Sequence, residues 1–159
     1  LVAATHGRGV WVVDIEALRQ TTPAIAKGQA HLFDVEPAIL WKMTSRGFQG
    51  HREYRASNPP YGAAFHVWLA EAPKEAPVLT VHDVTGAEIG KVTAKAQAGL
   101  QTVVWDARLG QNRLASPGSY AVRWPGQKGV EARAFVLLPD PQFAATDAGA
   151  AASSTNNAR

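Results

Sequence analysis

The 159-residue chain contains no cysteine and a single methionine. Disulfide scaffolds, thiolate zinc sites and thiol nucleophiles are therefore excluded before any residue is placed. No apolar run approaches the roughly 18 residues that a membrane-spanning helix needs. The start at Leu1 has neither a charged segment nor an apolar segment of the signal-peptide kind, and strand-like sequence begins at once, so the chain reads as the remainder of something longer. Charge of one sign is also scarce. Sixteen Lys and Arg against thirteen Asp and Glu leave a net +3, a small surplus without a basic patch, so no nucleic-acid partner is implied. Helical periodicity is nearly absent. Only Asp14 to Gln20 offers an acidic start, apolar residues three apart at Ile15 and Leu18, and Arg19 at the end.

What is present is a series of short β-branched and aromatic runs broken by Gly, Pro, Asn and Asp, the pattern of an antiparallel all-β chain. The runs are Leu1 to Ala4, Val10 to Val13, Ala38 to Trp41, Ala64 to Leu69, Val78 to His82, Glu88 to Thr93, Gln101 to Trp105, Ser119 to Trp124 and Ala132 to Leu138. Turn signals about every 8 to 12 residues fit a sandwich of about seven strands. Val78 to Thr93 reads as a hairpin turning at Asp83-Val84-Thr85-Gly86, with Gly86 supplying a positive φ. Alternation in Tyr120, Val122 and Trp124 predicts one buried face, opened by the turn at Pro117-Gly118. Thr21 to Gln29 carries Pro23 and Gly28 without periodicity and is expected to be a linker or a surface strap. From Pro139 the composition collapses into Ala, Ser, Thr, Asn and Asp, and Thr146 to Arg159 is expected to be disordered.

Two stretches carry a resemblance. Leu1 to Asp14 (LVAATHGRGVWVVD) resembles a hairpin of the last β-propeller blade in the sortilin and sialidase-repeat (BNR-like) class, through Thr5, His6, Gly7, Arg8, Gly9, Trp11 and Asp14. Asn58 to about Pro141, with NPPYGA, DVTGAEI, GLQTVVWD and PGSYAVR, is similar to the immunoglobulin-like domain that follows such propellers and to that of flagellar hook-capping proteins. The turn Leu109 to Arg113 departs from the family pattern. The resemblance implies an all-β fold made of a partial last propeller blade (residues 1–18), a linker (19–37), an immunoglobulin/fibronectin-III-like β-sandwich (38–141) and a disordered tail (142–159). It further implies a secreted or periplasmic bacterial parent whose upstream blades, or a partner chain, complete the hairpin. Such a module is expected to brace the propeller and to contact carbohydrate or a protein or peptide ligand. Fold alone does not fix that function.

Candidate site residues follow from composition and position. The loop Arg46 to Gly62 interleaves Arg46, His51, Arg52 and Arg55 with Phe48, Tyr54 and Tyr61. It reads either as a binding surface for sugar rings or an acidic partner, or as packing across the propeller. In the blade turn, His6 and Arg8 read as ties between blades more readily than as ligand contacts, with Gly7 and Gly9 making the turn. Trp105 and Asp106 imitate a carboxylate beside a sugar platform, yet a strand-end core residue and a turn-capping Asp are the weightier reading, and Asp83 has the same standing. Thirteen acids are spread from Asp14 to Asp147 with no pair that sequence brings to the roughly 5 to 9 Å of a glycosidase. There is no G-x-S-x-G, no H-E-x-x-H and no phosphate-cradling Gly loop. No cofactor or metal is expected. The competing reading makes the parent a glycoside hydrolase-like or peptidase-like enzyme with its catalytic residues upstream. A third has Trp41, Trp68 or Trp124 binding carbohydrate, although alternation predicts that most of these indoles are buried.

Overall fold

The computed structural model describes residues 1–7, 9–42, 60–110, 113–127 and 129–143. In chain order it contains β1 (Val2–Ala4), β2 (Val10–Val12), α1 (Glu16–Gln20), α2 (Pro23–Lys27), β3 (Ala30–Leu32), β4 (Ala38–Leu40), β5 (Ala63–Leu69), β6 (Val78–His82), β7 (Glu88–Thr93), β8 (Gly99–Trp105), β9 (Gly118–Arg123) and β10 (Arg133–Pro139). Two single-turn helices apart, the regular structure is all strand.

The strands form three sheets: the ribbon β1-β2, a three-stranded sheet in the order β3-β5-β8, and a five-stranded sheet in the order β4-β10-β9-β6-β7. All pairings are antiparallel except β10 with β4. The two larger sheets face each other across one core. Ala63, Phe65, Val67 and Leu69 alternate inward along β5 and meet Leu79 and Val81 of β6, Val122 of β9, and Phe135 and Leu137 of β10. At its centre the rings of Phe65 and Phe135 meet edge to face at 5.3 Å, Trp105 meets Phe135 at 6.2 Å, and Tyr120 lies 5.8 Å from Phe135. Such pairs add about 0.5–1.5 kcal/mol beyond the area they bury. Gly90 in β7 leaves room for the indole of Trp105, since a Cβ there would stand 2.7 Å from its Nε1.

Chain segments before β3 depart from the sequence expectation. Thr21 to Gln29 contains α2, whose Thr22 caps it by accepting from the Ile25 N–H and whose Pro23 occupies the first turn, where no N–H is required. Pro23, read as a breaker, is a helix starter. Within 19–37, β3 adds an edge strand to β5, and Leu32 and Phe33 are buried. Three residues are too few to display alternation, so the strand left no periodic signal. The segment from Asp14 to Gly28 lies against the outer face of the three-stranded sheet. Ala17 of α1 is buried, Trp68 Nε1 donates to the Gly28 carbonyl at 3.3 Å, and Asp34 and Gln20 exchange two hydrogen bonds.

At the far end, the buried Asp140 carboxylate accepts from the Lys42 N–H and the Gln142 N–H, each at 2.9 Å, tying the exits of β4 and β10 together. Gln142 and Phe143, counted with the tail by composition, are thus held in a turn, and Phe143 lies under the Lys42 ammonium at 5.1 Å. Thr146 to Arg159 lie outside the described residues.

The β6–β7 hairpin turns where its sequence predicts. Asp83 Oδ1 accepts from the Thr85 hydroxyl at 2.6 Å and from the Thr85 and Ala87 N–H groups, and Gly86 takes φ +84°. The Thr85 hydroxyl first, joined by the backbone N–H groups of Ala87, Thr85 and Gly86, holds the Asp83 carboxyl below its ordinary value against the opposing effect of desolvation. The unfolded chain therefore binds this proton more readily than the folded one. The turn's contribution is present above the ordinary value of 3.8 and is lost as pH falls through the lower folded value. Urea midpoints of wild type and Asp83→Ala are expected to differ at neutral pH and to converge in acid. A gap that stays constant with pH would remove the carboxylate from the account.

Candidate functional site

The loop that carries most of the sequence-derived ligand candidates, Arg46, His51, Arg52, Tyr54 and Arg55, lies outside the described residues, as does Arg8. Tyr61 is described and packs half-buried against the hydrophobic cluster. Burial raises its hydroxyl pKa, against a lowering pull from Arg108. Its ring serves the core at least as much as any surface.

Other candidates fall into local structural roles. Trp105 is 2% exposed, and Asp106 accepts from the Arg108 N–H at 3.1 Å and pairs with its guanidinium at 3.4 Å. Asp83 and Gly86 build the hairpin turn. Gly118 opens β9 at φ +156°, and the Tyr120 hydroxyl donates to the Ser116 carbonyl at 2.7 Å. Of the tryptophans weighed as sugar platforms, Trp124 is 8% exposed, Trp68 is bonded to Gly28, and Trp41 is half exposed. The indole most open to solvent is Trp11, at 71%.

His6, Gly7, Gly9 and Trp11 lie on the β1–β2 ribbon and its turn, and Asp14 on the segment that leaves it. Thr5 closes the turn: its N–H and hydroxyl both donate to the Gly9 carbonyl, and its Oγ1 accepts from the Gly9 N–H. A Cβ at Gly9 would stand 3.0 Å from Thr5 Oγ1. Asp14 lies 4.0 Å from His66 Nε2 on β5, whose Nδ1 faces Thr102 Oγ1 at 2.9 Å. This contact moors the exit of the ribbon on the outer face of the three-stranded sheet. Beyond it the ribbon stands away from the core. Leu1, Val2, Val10, Trp11, Val12 and Val13 are all exposed, on both faces of the ribbon.

Two polar features came only with the tertiary structure. A shallow cleft of about 390 Å³ on the outer face of the five-stranded sheet is lined by Thr80, His82, Glu88, Arg123, Trp124 and their neighbours. Inside it both nitrogens of the His82 ring have partners: Nδ1 lies 3.0 Å from the Gly86 carbonyl oxygen and Nε2 2.9 Å from the Thr80 hydroxyl. Glu88 pairs with Lys91 at 3.1 Å. Elsewhere, Arg133 bonds the Leu32 carbonyl and pairs with Asp34 at 2.9 Å and Glu131 at 3.4 Å. Beside it, burial and then the Arg133 charge push the His31 imidazole below its ordinary value, against the pull of Asp34. Sequence held no signal for either cluster: strand register sets Arg123 beside Thr80, and the meeting of the two sheets brings Arg133 to Leu32 and Asp34. Among the described residues no group of three or more His, Asp or Glu is placed to hold a metal ion. No helix among them is long and apolar enough to cross a membrane.

Fold and surface together define an all-β protein with two facing sheets and an appended apolar ribbon. No protein-family model, no curated protein and no solved structure matches this chain.

Proposed function

We propose that this chain is a non-catalytic accessory module of a larger β-propeller protein of the sortilin and sialidase-repeat class. In this reading the β1–β2 ribbon belongs to the last blade, and the chain from β3 through β10 is an immunoglobulin-like sandwich that braces it. The observation that carries the proposal is the ribbon itself, apolar and exposed on both faces, with open strand edges among the described residues. Edges and faces of that kind call for neighbouring strands. In a propeller those strands come from the rest of the blade.

The sandwich reading has its own support. β5 and β8 share one sheet, while β6, β9 and β10 share the other, which matches the B-E and C-F-G division of immunoglobulin-like sandwiches. The chain crosses from one sheet to the other between β3 and β4. The Tyr120 bond to the Ser116 carbonyl, near the start of the strand in the F position, fits a tyrosine corner. The module would brace the blade through the Asp14–His66 contact, and its sequence offers Arg46, Arg52, Arg55 and Tyr54 for a carbohydrate or protein ligand.

The deciding experiment is the intact mass of the natural polypeptide in its source cells. A mass several times 16.9 kDa is expected. A mass near that of this chain would sink the propeller reading and leave a self-standing interaction module.

A further inference from the structure

The cleft on the outer face of the five-stranded sheet lies between the β9–β10 connection and the outward side chains of β6 and β7. Its volume of about 390 Å³ falls in the roughly 300–1,000 Å³ range of small-molecule sites. Val81 and Val122 face the core, so Thr80, His82 and Arg123, one position away on the same strands, face outward. Register sets Thr80 opposite Lys91 on one side and Arg123 on the other, so two cations flank one hydroxyl. Trp124, Pro125 and Val130 form the apolar wall beside them. Thr80 is 5% exposed and Trp124 8%, so the floor is protein and not solvent, and a charge held there is screened less than on open surface.

The polar groups of the cleft differ in what already occupies them. Thr80 and His82 hold each other, His82 also meets the Gly86 carbonyl oxygen, and Glu88 pairs with Lys91. The Arg123 side chain has no hydrogen bond and no ion pair among the described residues. With Glu88 and Lys91 cancelling, one positive charge remains, on a planar fork of N–H donors beside an apolar wall. We propose that this cleft binds a small organic acid whose carboxylate sits on Arg123 and whose apolar ring lies against Trp124, Pro125 and Val130. A carboxylate takes two parallel bonds from a guanidinium, and such charge-assisted pairs are stronger than neutral ones. One net positive charge matches a monoanion, which favours a carboxylate over a phosphate dianion. An acid without a ring satisfies Arg123 and leaves the wall wet, whereas a neutral amide covers the wall and leaves the charge unmatched. The site belongs to the sandwich alone, so it goes beyond the propeller reading and does not depend on it.

Amide NMR on the full isotope-labelled chain tests the site with three probes: benzoate, benzamide and acetate. Benzoate is expected to shift the Thr80, Arg123 and Trp124 amides and the Trp124 indole N–H saturably. Benzamide, which lacks the charge, and acetate, which lacks the ring, are each expected to bind at least about tenfold more weakly. Arg123→Gln, a change at an exposed position, is expected to weaken benzoate by at least about tenfold while the amide spectrum of the core stays in place. Should that variant fail to fold, the comparison of probes on the wild-type chain still decides. The absence of a saturable shift with benzoate overturns the proposal. So do shifts that map elsewhere, benzamide or acetate binding as well as benzoate, and undiminished binding to a folded Arg123→Gln.

Discussion

Gly62→Ala is expected to destabilise the chain by about 3 kcal/mol or more, the size reserved for backbone strain combined with overpacking. Gly62 stands at φ +118°, where an L side chain is strained in any surroundings. A Cβ there would lie 1.9 Å from the Trp105 carbonyl oxygen, 2.8 Å from its carbonyl carbon and 2.9 Å from Asp106 Cα. These are backbone atoms at the end of β8, paired with β5 through the Ala63–Trp105 register, so they cannot yield without opening the three-stranded sheet. Gly86→Ala is the control. Its φ of +84° also disfavours a side chain, but no atom lies within 4 Å of the added carbon. Its cost should be about 1 kcal/mol, the conformational part alone. Urea denaturation of both variants separates the two contributions. Equal midpoints would show that the close approach between β5 and β8 costs nothing.

Phe135→Ala is expected to lose about 3–5 kcal/mol, the usual cost of emptying a buried aromatic site. Phe135 is the ring through which the two sheets meet. It belongs to the five-stranded sheet, and it touches Phe65 and Trp105 of the three-stranded sheet and Tyr120 of its own. Removing it leaves three aromatic rings without their common neighbour. Val136, the next residue, points outward, and Val136→Ala should cost well under about 1 kcal/mol, as surface changes do. Because domains of this size hold only about 5–15 kcal/mol in all, Phe135→Ala should lower the urea midpoint by a large fraction of its wild-type value. Loss of near-UV signal from Trp105 at low denaturant would accompany it. Similar midpoints for the two variants would mean that the sheets are joined elsewhere.

Residues whose structure depends on near neighbours were readable in the sequence. The turn at Asp83 is one: its carboxylate, the Thr85 hydroxyl and the Gly86 backbone are within four positions, so the chemistry that shapes it is written in one short string. Asp106 is another, capping its own next turn. The inward face of β9 was equally legible in Tyr120 and Val122, because a period of two survives in a strand of six residues. β3 was not legible: it is three residues long, follows a proline that starts a helix, and is a strand only because β5 offers it an edge. The two strands of the ribbon were expected at Leu1 to Ala4 and Val10 to Val13.

By itself, then, the sequence determined the all-β class, the position of the β6–β7 turn, the inward face of β9 and the lack of metal-binding thiolates. Each of these rests on residue type or on spacings of a few positions, over which covalent connection sets geometry. Tertiary structure decided which strands share a sheet, that β4 runs parallel to β10, that Arg133 reaches Leu32 and Asp34, and that His66 meets Asp14. Those choices join residues far apart in the chain. They are made by the free energy of covering both faces of a common core, a quantity to which no single stretch of residues contributes enough to be read alone.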